Sequence, residues 1–326
     1  MPSDNSNVDT LTEFPSVETT AALTSGAQAA HQRAMKERAI GALGKLPPFP
    51  VVLNRLLASL AGEDIPFVKI GELIEKDTVI SGNLLHLVNS AVYARRGTVN
   101  SVRHALSLLG VEKVRNAVLG MSITRMWNKI QTPPSWSMAR FNLHSAAVAT
   151  LADCLAQRLP VSYGEGAFVA GLLHDLGTLL IAFSLPEEYQ IIRDLHEDTG
   201  QPIREIEVAR LGLSHEELSG EALLVWNLPA PIRDAVRFHH DPCADTSATG
   251  EGEVRLSRVV CAANDYVNST GVSIIPGGIP GGIPGANMDG EGDRTLLESL
   301  GLDPDQAQAA VDEFNAEREG MAQLLR

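Results

Sequence analysis

The stretch Gly171-Leu-Leu-His-Asp-Leu-Gly-Thr178 places a His-Asp pair inside a very apolar segment, residues 167–183. Read as a helix, this segment has a broad apolar face. Its small and polar positions, at i, i+3, i+4 and i+7 from Gly171, share a second and narrower stripe. A buried imidazole and carboxylate need partners, because an unpaired polar group in an apolar interior is costly. The stretch therefore predicts a buried polar site to which other helices contribute.

Composition and charge limit the class of protein. The chain has 326 residues, of which 44% are hydrophobic and 20% charged, which suits about two domain-sized units with a sizeable core. A net charge of −14 argues against general nucleic-acid binding, which needs a basic surface. Three cysteines without metal-binding spacing favour reduced thiols and a cytoplasmic location. We expect neither a signal peptide nor a membrane span.

Amphipathic segments with short breaks predict an all-α fold of two helical lobes. Five parts are predicted: residues 1–43, a disordered tail and a lead-in helix; 44–133, the first lobe; 134–270, the second lobe; 271–292, a flexible Pro/Gly loop; and 293–326, C-terminal helices. The tail is predicted from its Ser-, Thr-, Asn- and Glu-rich composition up to about residue 25. The loop is predicted from its repeated Ile-Pro-Gly-Gly units, which cannot hold a helix.

Further polar positions of the second lobe lie on inward helix faces or at helix starts. They are His144, His215, His239, His240 and Asn264. Imidazoles and a carboxylate that converge from several helices suit Fe, Mn or Zn better than Ca or Mg. Ser214-His-Glu-Glu217 predicts a capping box, and the positive helix N-terminus should keep His215 neutral and able to act as a ligand. In a hydrolase, such a metal would bind phosphate and lower the pKa of a water.

Each histidine also has an ordinary interpretation. A single histidine is more often a satisfied core or surface residue than a ligand, and we interpret four isolated ones in this way: His31, His86, His104 and His196. The clustered set could likewise be a plain polar network that ties the second lobe together. Such a network predicts that His144→Ala costs about 1–3 kcal/mol per group left unpaired and changes no binding. Asp265 is turned by about 100° from Asn264 and should point away from the site.

Several motifs resemble, in order, those of the HDOD domain, the HD-related output domain of bacterial signalling proteins. They are Leu46-Pro-Pro-Phe-Pro50, Asp77, Asn89-Ser-Ala-Val-Tyr93, Ala105-Leu-Ser-Leu-Leu-Gly110, Gly171-Leu-Leu-His-Asp-Leu-Gly177, Trp226-Asn-Leu-Pro229 and His239-His-Asp-Pro242. The order of His144, the His174-Asp175 pair and Asn264 is similar to that of the HD superfamily of metal-dependent phosphohydrolases. The resemblance covers residues 44–245. It implies an all-helical fold with an HD-like second lobe and a role in bacterial signal transduction.

The resemblance also bears on catalysis. HDOD domains are generally regarded as HD relatives without established catalysis, whereas HD-GYP domains hydrolyse cyclic di-GMP at a multi-metal site. The Gly-Tyr-Pro signature is absent after His239-His240, and Thr178 stands where HD-GYP enzymes have Lys. Asn264 replaces the last metal-binding Asp of the HD pattern, and a neutral amide is a weaker ligand.

We therefore expect a non-catalytic regulatory module that binds a signalling protein or a nucleotide-type ligand, and we do not expect nucleic acid or a membrane as a partner. The alternative is a metal-dependent phosphohydrolase acting on a phosphoester such as a cyclic dinucleotide. In that alternative, the resemblance implies one metal at His144, His174, Asp175 and Asn264, and a second at His215, His239 and His240.

Overall fold

The structure, a computed structural model, describes residues 17–46, 51–60, 67–89, 98–275 and 292–324. Over these residues the chain is all-α, as predicted, and its only extended pairing is an isolated bridge between Val161 and Val254. Parts of several predicted features lie outside the described residues. These are positions 1–16 of the tail, 47–50 and 90–93 of the motifs, and 276–291 of the Pro/Gly loop.

The lead-in helix and the first lobe comprise five α-helices among the described residues. The helices are α1 Val17–Ala42, α2 Val51–Leu60, α3 Phe67–Glu75, α4 Thr78–Val88 and α5 Val102–Trp127. Residues 17–25 are therefore helical, so the predicted extension of the disordered tail to about residue 25 is wrong for them. Gly110 has a φ of 82°, a left-handed conformation that favours glycine, and it divides α5 into two segments.

The second lobe and the C-terminal region continue with further helices. They are α6 Met138–Ala156, α7 Ala167–Leu173, α8 Leu176–Ser184, α9 Pro186–Thr199, α10 Ile203–Leu211, α11 His215–Val225, α12 Ala230–Arg237, α13 Leu256–Ser269, α14 Thr295–Glu298 and α15 Pro304–Leu324. α6 and α7 form the centre of this lobe. They pack closely because Gly171 has no side chain, and a Cβ there would lie 2.7 Å from Ala149 Cα.

The predicted single helix over residues 167–183 is wrong, because the chain turns at the His-Asp pair. Asp175 has φ −99° and ψ 17°, which ends α7 and starts α8. The stretch Gly164–Ser184 is long and apolar enough to cross a membrane, but 89% of its most apolar window is buried inside the protein. It therefore has the pattern of a core segment, and its turn brings a polar pair into the centre of the lobe.

The lead-in helix α1 packs against the second lobe. The Gln32 side-chain amide donates to the backbone carbonyls of Val208 and Ala209, at 3.3 and 2.8 Å. His31 Nε2 lies 3.3 Å from the Glu188 carboxylate, which also holds Arg210. α1 is thus attached to the C-terminal end of α10, a helix that also contributes to the site described next.

Candidate metal centre

Five imidazoles from four parts of the second lobe meet around the carboxylate of Asp175. His144 comes from α6, His174 from the end of α7, His215 from the start of α11, and His239 and His240 from the turn after α12. Centroids of neighbouring rings are 4.1–5.7 Å apart. The structure therefore brings together every histidine that the sequence assigned to the site.

Each oxygen of Asp175 faces a different part of the cluster. Oδ2 lies 3.4 Å from His144 Nε2 and 3.2 Å from His174 Nε2. Oδ1 lies 3.3 Å from His215 Nε2 and 3.6 Å from His239 Nε2. The carboxylate is thus the group that the two halves of the cluster share.

Two small residues fix the turn that carries the His-Asp pair. A Cβ on Gly177 would lie 1.9 Å from the carbonyl oxygen of His215, so only glycine lets α8 approach α11 this closely. The Gly177 N–H donates to Ser219 Oγ at 2.7 Å, and the Ser219 hydroxyl donates to the His174 carbonyl at 2.9 Å. Ser219, which the sequence did not single out, therefore ties the His-Asp turn to α11.

Backbone carbonyls determine which ring nitrogen carries the proton in three histidines. Nδ1 lies 2.8 Å from Val272 O in His144, 2.7 Å from Gly171 O in His174 and 2.7 Å from Val236 O in His239. A carbonyl can only accept, so each Nδ1 must donate. The Nε2 atoms of these rings are then free to offer a lone pair to the interior of the cluster.

The Nε2 atoms face one another rather than protein donors. His144 Nε2 lies 3.2 Å from His174 Nε2, and His215 Nε2 lies 3.0 Å from His240 Nε2. His239 Nε2 is buried and has no hydrogen-bond partner among the described residues. Two lone pairs at such distances attract only if a proton or a metal ion lies between them. The donor set therefore fits a divalent cation that prefers nitrogen and oxygen ligands.

His215 corrects one prediction. Its Nδ1 and backbone N–H both donate to Glu207 Oε2, at 2.7 and 2.9 Å. Burial lowers the pKa of His215, but the carboxylates of Glu207 and Asp175 outweigh burial and hold it well above its usual value. The predicted capping box is present. The expectation that the helix N-terminus keeps His215 neutral is nevertheless wrong, because Glu207 was not foreseen, and a metal at Nε2 would have to displace a proton.

Among the described residues, three groups of ligand atoms could each hold a metal ion, with the atoms of each group within 4.8 Å of one another; Glu207, His215 and Glu216 form one of them, and the other two share Asp175. Of the two that share Asp175, the first consists of His144, His174 and Asp175, and the second of Asp175, His215, His239 and His240. The second group offers more ligand atoms, and Glu207 adds a negative charge behind His215. Carboxylates placed behind a ligating histidine raise its basicity and strengthen metal binding.

A cavity of about 410 Å³ opens beside the cluster. His144, Asp175, His215 and His240 line one side, together with Thr178 and Asn264. Asn264 is buried, and its Oδ1 accepts a hydrogen bond from Asn268 Nδ2 at 2.9 Å. Asp265 is exposed, as expected for a side chain turned away from Asn264, and its carboxylate accepts a hydrogen bond from Cys261 Sγ at 3.7 Å. Asn264 therefore belongs to the cavity wall, with its amide oxygen already engaged.

Another wall of the cavity includes residues that the sequence did not predict. His196, interpreted as an isolated histidine, lines it, and its Nδ1 lies 2.7 Å from the Gln201 carbonyl. Arg204 lines it as well and pairs through Nε with the buried Glu216. Glu207 had one usable signal, since it shares a helical stripe with Ile203 and Leu211. Arg204 and Glu216 had none, because their pairing depends on how α10 meets α11.

Helices arranged around a buried His-Asp cluster define an HD-type protein. The HDOD domain family matches residues 46–242, more than half of the chain, and the chain therefore belongs to this family.

Solved structures share the fold. An HDOD domain protein of unknown function from Geobacter sulfurreducens has a TM-score of 0.69 and 23% identity, over 90% of this chain and 97% of that one. A protein from Shewanella amazonensis, described provisionally as a phosphohydrolase, has a TM-score of 0.67 and 21% identity, over 89% and 99%.

An uncharacterized protein of Treponema pallidum is 24% identical over 201 residues, which are 60% of this chain and 38% of that protein. The chain thus spans well under half the length of this relative.

Proposed function

We propose that the chain is a cytoplasmic regulatory module of bacterial signal transduction, whose second lobe binds a divalent metal, Fe, Mn or Zn, and recognises a nucleotide-type ligand or a signalling protein without turnover. The observation that supports metal binding is the set of inward Nε2 atoms around Asp175. Three of these rings are fixed by hydrogen bonds from Nδ1–H to backbone carbonyls. A cation removes the lone-pair repulsion that the set otherwise contains.

The charge of the cluster supports a regulatory role. Asp175 is the carboxylate that the two ligand groups share, and Glu207 stands behind His215. At the remaining position of the HD pattern the chain has the neutral Asn264, whose oxygen accepts from Asn268. Two divalent ions would bring four positive charges against few carboxylates, so binding of one metal is favoured over a charged two-metal site.

A second candidate function is a metal-dependent phosphohydrolase, which the cavity beside the complete histidine set favours. His144, His174 and Asp175 would hold one metal, and His215, His239 and His240 a second. When bound, such a metal polarises a phosphoryl oxygen and lowers the pKa of a water. The chain's own residues would orient the ligand in the cavity, with Thr178 and Asn264 beside the cluster.

Metal content and turnover measured on the same samples test both candidates. Protein purified without chelators is subjected to elemental analysis as wild type, His174→Ala and His104→Ala; His104 is an exposed histidine of α5 and serves as control. We expect about one metal per wild-type and control chain, much less in His174→Ala, and no hydrolysis of cyclic di-GMP with added Mn or Fe. Hydrolysis by wild type and His104→Ala that is lost in His174→Ala would establish the phosphohydrolase. A wild-type protein that is folded, metal-free and inert would refute metal binding.

A further inference from the structure

The cavity has one positively charged side chain of the Lys/Arg type among its lining residues in the described part of the chain, Arg204 at the start of α10. Two acidic residues, Asp175 and Glu205, also line the cavity. The protein as a whole carries a net charge of −14. An anionic ligand that enters this cavity is therefore repelled by the field of the protein unless a positive charge in the wall, such as that of Arg204, offsets it.

Arg204 is held in place by a buried carboxylate. Its Nε pairs with Glu216 Oε1, and the Glu216 side chain is 3% exposed. Within the described residues, the terminal Nη atoms of Arg204 make no hydrogen bond, and about half of its side chain, 49%, is exposed. Glu216 directly follows the site residue His215, and its Oε2 lies 3.6 Å from His215 Nδ1. The arginine is thus anchored to the candidate metal centre while its two-pronged edge stays available.

The other lining residues indicate which chemical groups the ligand carries besides its anionic group. Pro202, Ile203 and Ile274 give part of the wall an apolar character. His196 donates through Nδ1 to the Gln201 carbonyl, which leaves its Nε2 as an acceptor for a hydroxyl or amine. A volume of about 410 Å³ lies at the small end of ligand cavities, which span about 300–1,000 Å³.

We propose that Arg204 is the phosphate-binding residue of this cavity, and that the cavity takes a phosphate-bearing ligand of mononucleotide size rather than a cyclic dinucleotide. The guanidinium edge of Arg204 contacts the phosphate, and the apolar wall contacts the flat ring system of the ligand. His196 accepts a hydrogen bond from a hydroxyl or amine of the ligand. The inference deepens the proposed ligand-binding function and rests on it. It requires only that the cavity binds an anion, so it can be tested separately from metal occupancy.

Calorimetric titration of the full chain tests the inference, with the metal content of each sample measured in parallel. The probes are adenosine 5′-monophosphate, adenosine and cyclic di-AMP, with and without added Mn²⁺. Arg204→Gln should weaken binding of the monophosphate by about 10- to 100-fold, the range for lost charge-assisted hydrogen bonds, and leave adenosine binding unchanged. Arg103→Gln, at an exposed arginine of α5, is the control for bulk charge and should bind as wild type.

Arg204→Gln leaves Glu216 without its partner and could unfold the start of α11, so Arg204→Lys provides a second variant. It keeps a charge beside Glu216 but loses the planar edge, and it should bind the monophosphate with intermediate affinity and a wild-type melting temperature.

Equal monophosphate affinity in wild type and Arg204→Gln, tighter binding of cyclic di-AMP than of the monophosphate, or an equal loss in Arg103→Gln would each overturn the inference. If wild type contains metal but binds neither phosphate probe, the inference fails and metal binding stands. Arg204-dependent binding by wild type that stays metal-free even with added Mn²⁺ would support the inference and refute metal binding.

Discussion

Two buried aspartates of the second lobe have opposite surroundings. Asp153, near the end of α6, lies among carboxylates: burial raises its pKa to about 7, with Glu112 and Glu317 adding to the shift. Burial also acts to raise the pKa of Asp175, but His174 and the neighbouring imidazoles hold it well below its usual range. The kind of neighbouring group, carboxylates beside Asp153 and imidazoles beside Asp175, thus decides which buried carboxyl keeps a charge.

The two aspartates also differ in what lies beside them. Glu317, next to Asp153, belongs to α15 and pairs with Lys113 of α5, so Asp153 is part of a closed helix interface. Asp175 lines the cavity. A charged carboxylate that opens to a cavity can receive a cation, whereas a carboxyl that is neutral below about pH 7 inside an interface serves packing alone.

The largest expected effect is on metal affinity when Asp175 loses its charge. In Asp175→Asn we expect the metal dissociation constant to rise about 100-fold or more, because a neutral amide cannot compensate a divalent cation. Asp153→Asn is the matched control, and it should keep wild-type affinity. Competition with a chromophoric chelator measures both variants, and equal affinity in Asp175→Asn and wild type would remove the distinction between the two aspartates.

A smaller loss of affinity is expected when the carboxylate behind His215 is neutralised. Glu207→Gln keeps the shape of the side chain but weakens the bond to Nδ1, which should raise the metal dissociation constant about 10- to 100-fold. Glu197→Gln, at an exposed position of α9, should not change it. Equal affinities in both variants would show that the Asp175 cluster does not depend on charge placed behind its histidines.

Gly177→Ala should push the His-Asp turn away from α11 and leave the surroundings of Asp153 unchanged. The added methyl meets the His215 carbonyl, so we expect a loss of about 1–3 kcal/mol in the free energy of unfolding. Chemical denaturation measures it. Gly82→Ala is the control: nothing lies within 4 Å of its added Cβ, and in mid-helix α4 the change should stabilise by about 0.5–1 kcal/mol. A Gly177→Ala variant as stable as wild type would mean that the close approach of α8 and α11 is not required.

The smallest expected effect is the pH dependence due to Asp153. Between its unfolded pKa of about 4 and its folded pKa of about 7, the folded chain binds the extra proton, so stability falls as pH rises through this window. Asp153→Asn should remove on the order of 1 kcal/mol of this fall between pH 5 and 8, less than the full shift converts to, since the helices can relax. Denaturation curves with the same pH slope in both proteins would contradict the assigned environment.

Most helices could be predicted from the sequence because local patterns decide them. α3, Phe67–Glu75, has apolar residues at helical spacing, and α4 begins after Asp77, a residue type that favours helix N-caps; the Asp77 side chain accepts from the Val79 and Ile80 N–H groups. The break at Asp175 could not be predicted in this way. It depends on α8 meeting α11 at Gly177, and that contact joins residues far apart in the sequence.

The site could be predicted only in part for a similar reason. Inward stripes located His144 and the His-Asp pair, since a polar residue on an apolar face is a local signal. Glu207 was missed although it lies on such a stripe, and with it the raised pKa of His215. The wall formed by His196 and Arg204 arises from the tertiary arrangement of α9, α10 and α11. The exact limits of the lobes stay a prediction.

Anomalous X-ray diffraction from a crystal of protein purified without chelators tests the metal assignment most directly. We expect an anomalous peak, at the absorption edge of Fe, Mn or Zn, bound by Asp175 and by the Nε2 atoms of His215 and His239. A folded lobe that shows no anomalous peak among these side chains, after growth and purification with all three metals supplied, would contradict the assignment and leave the histidines as a proton-linked polar network.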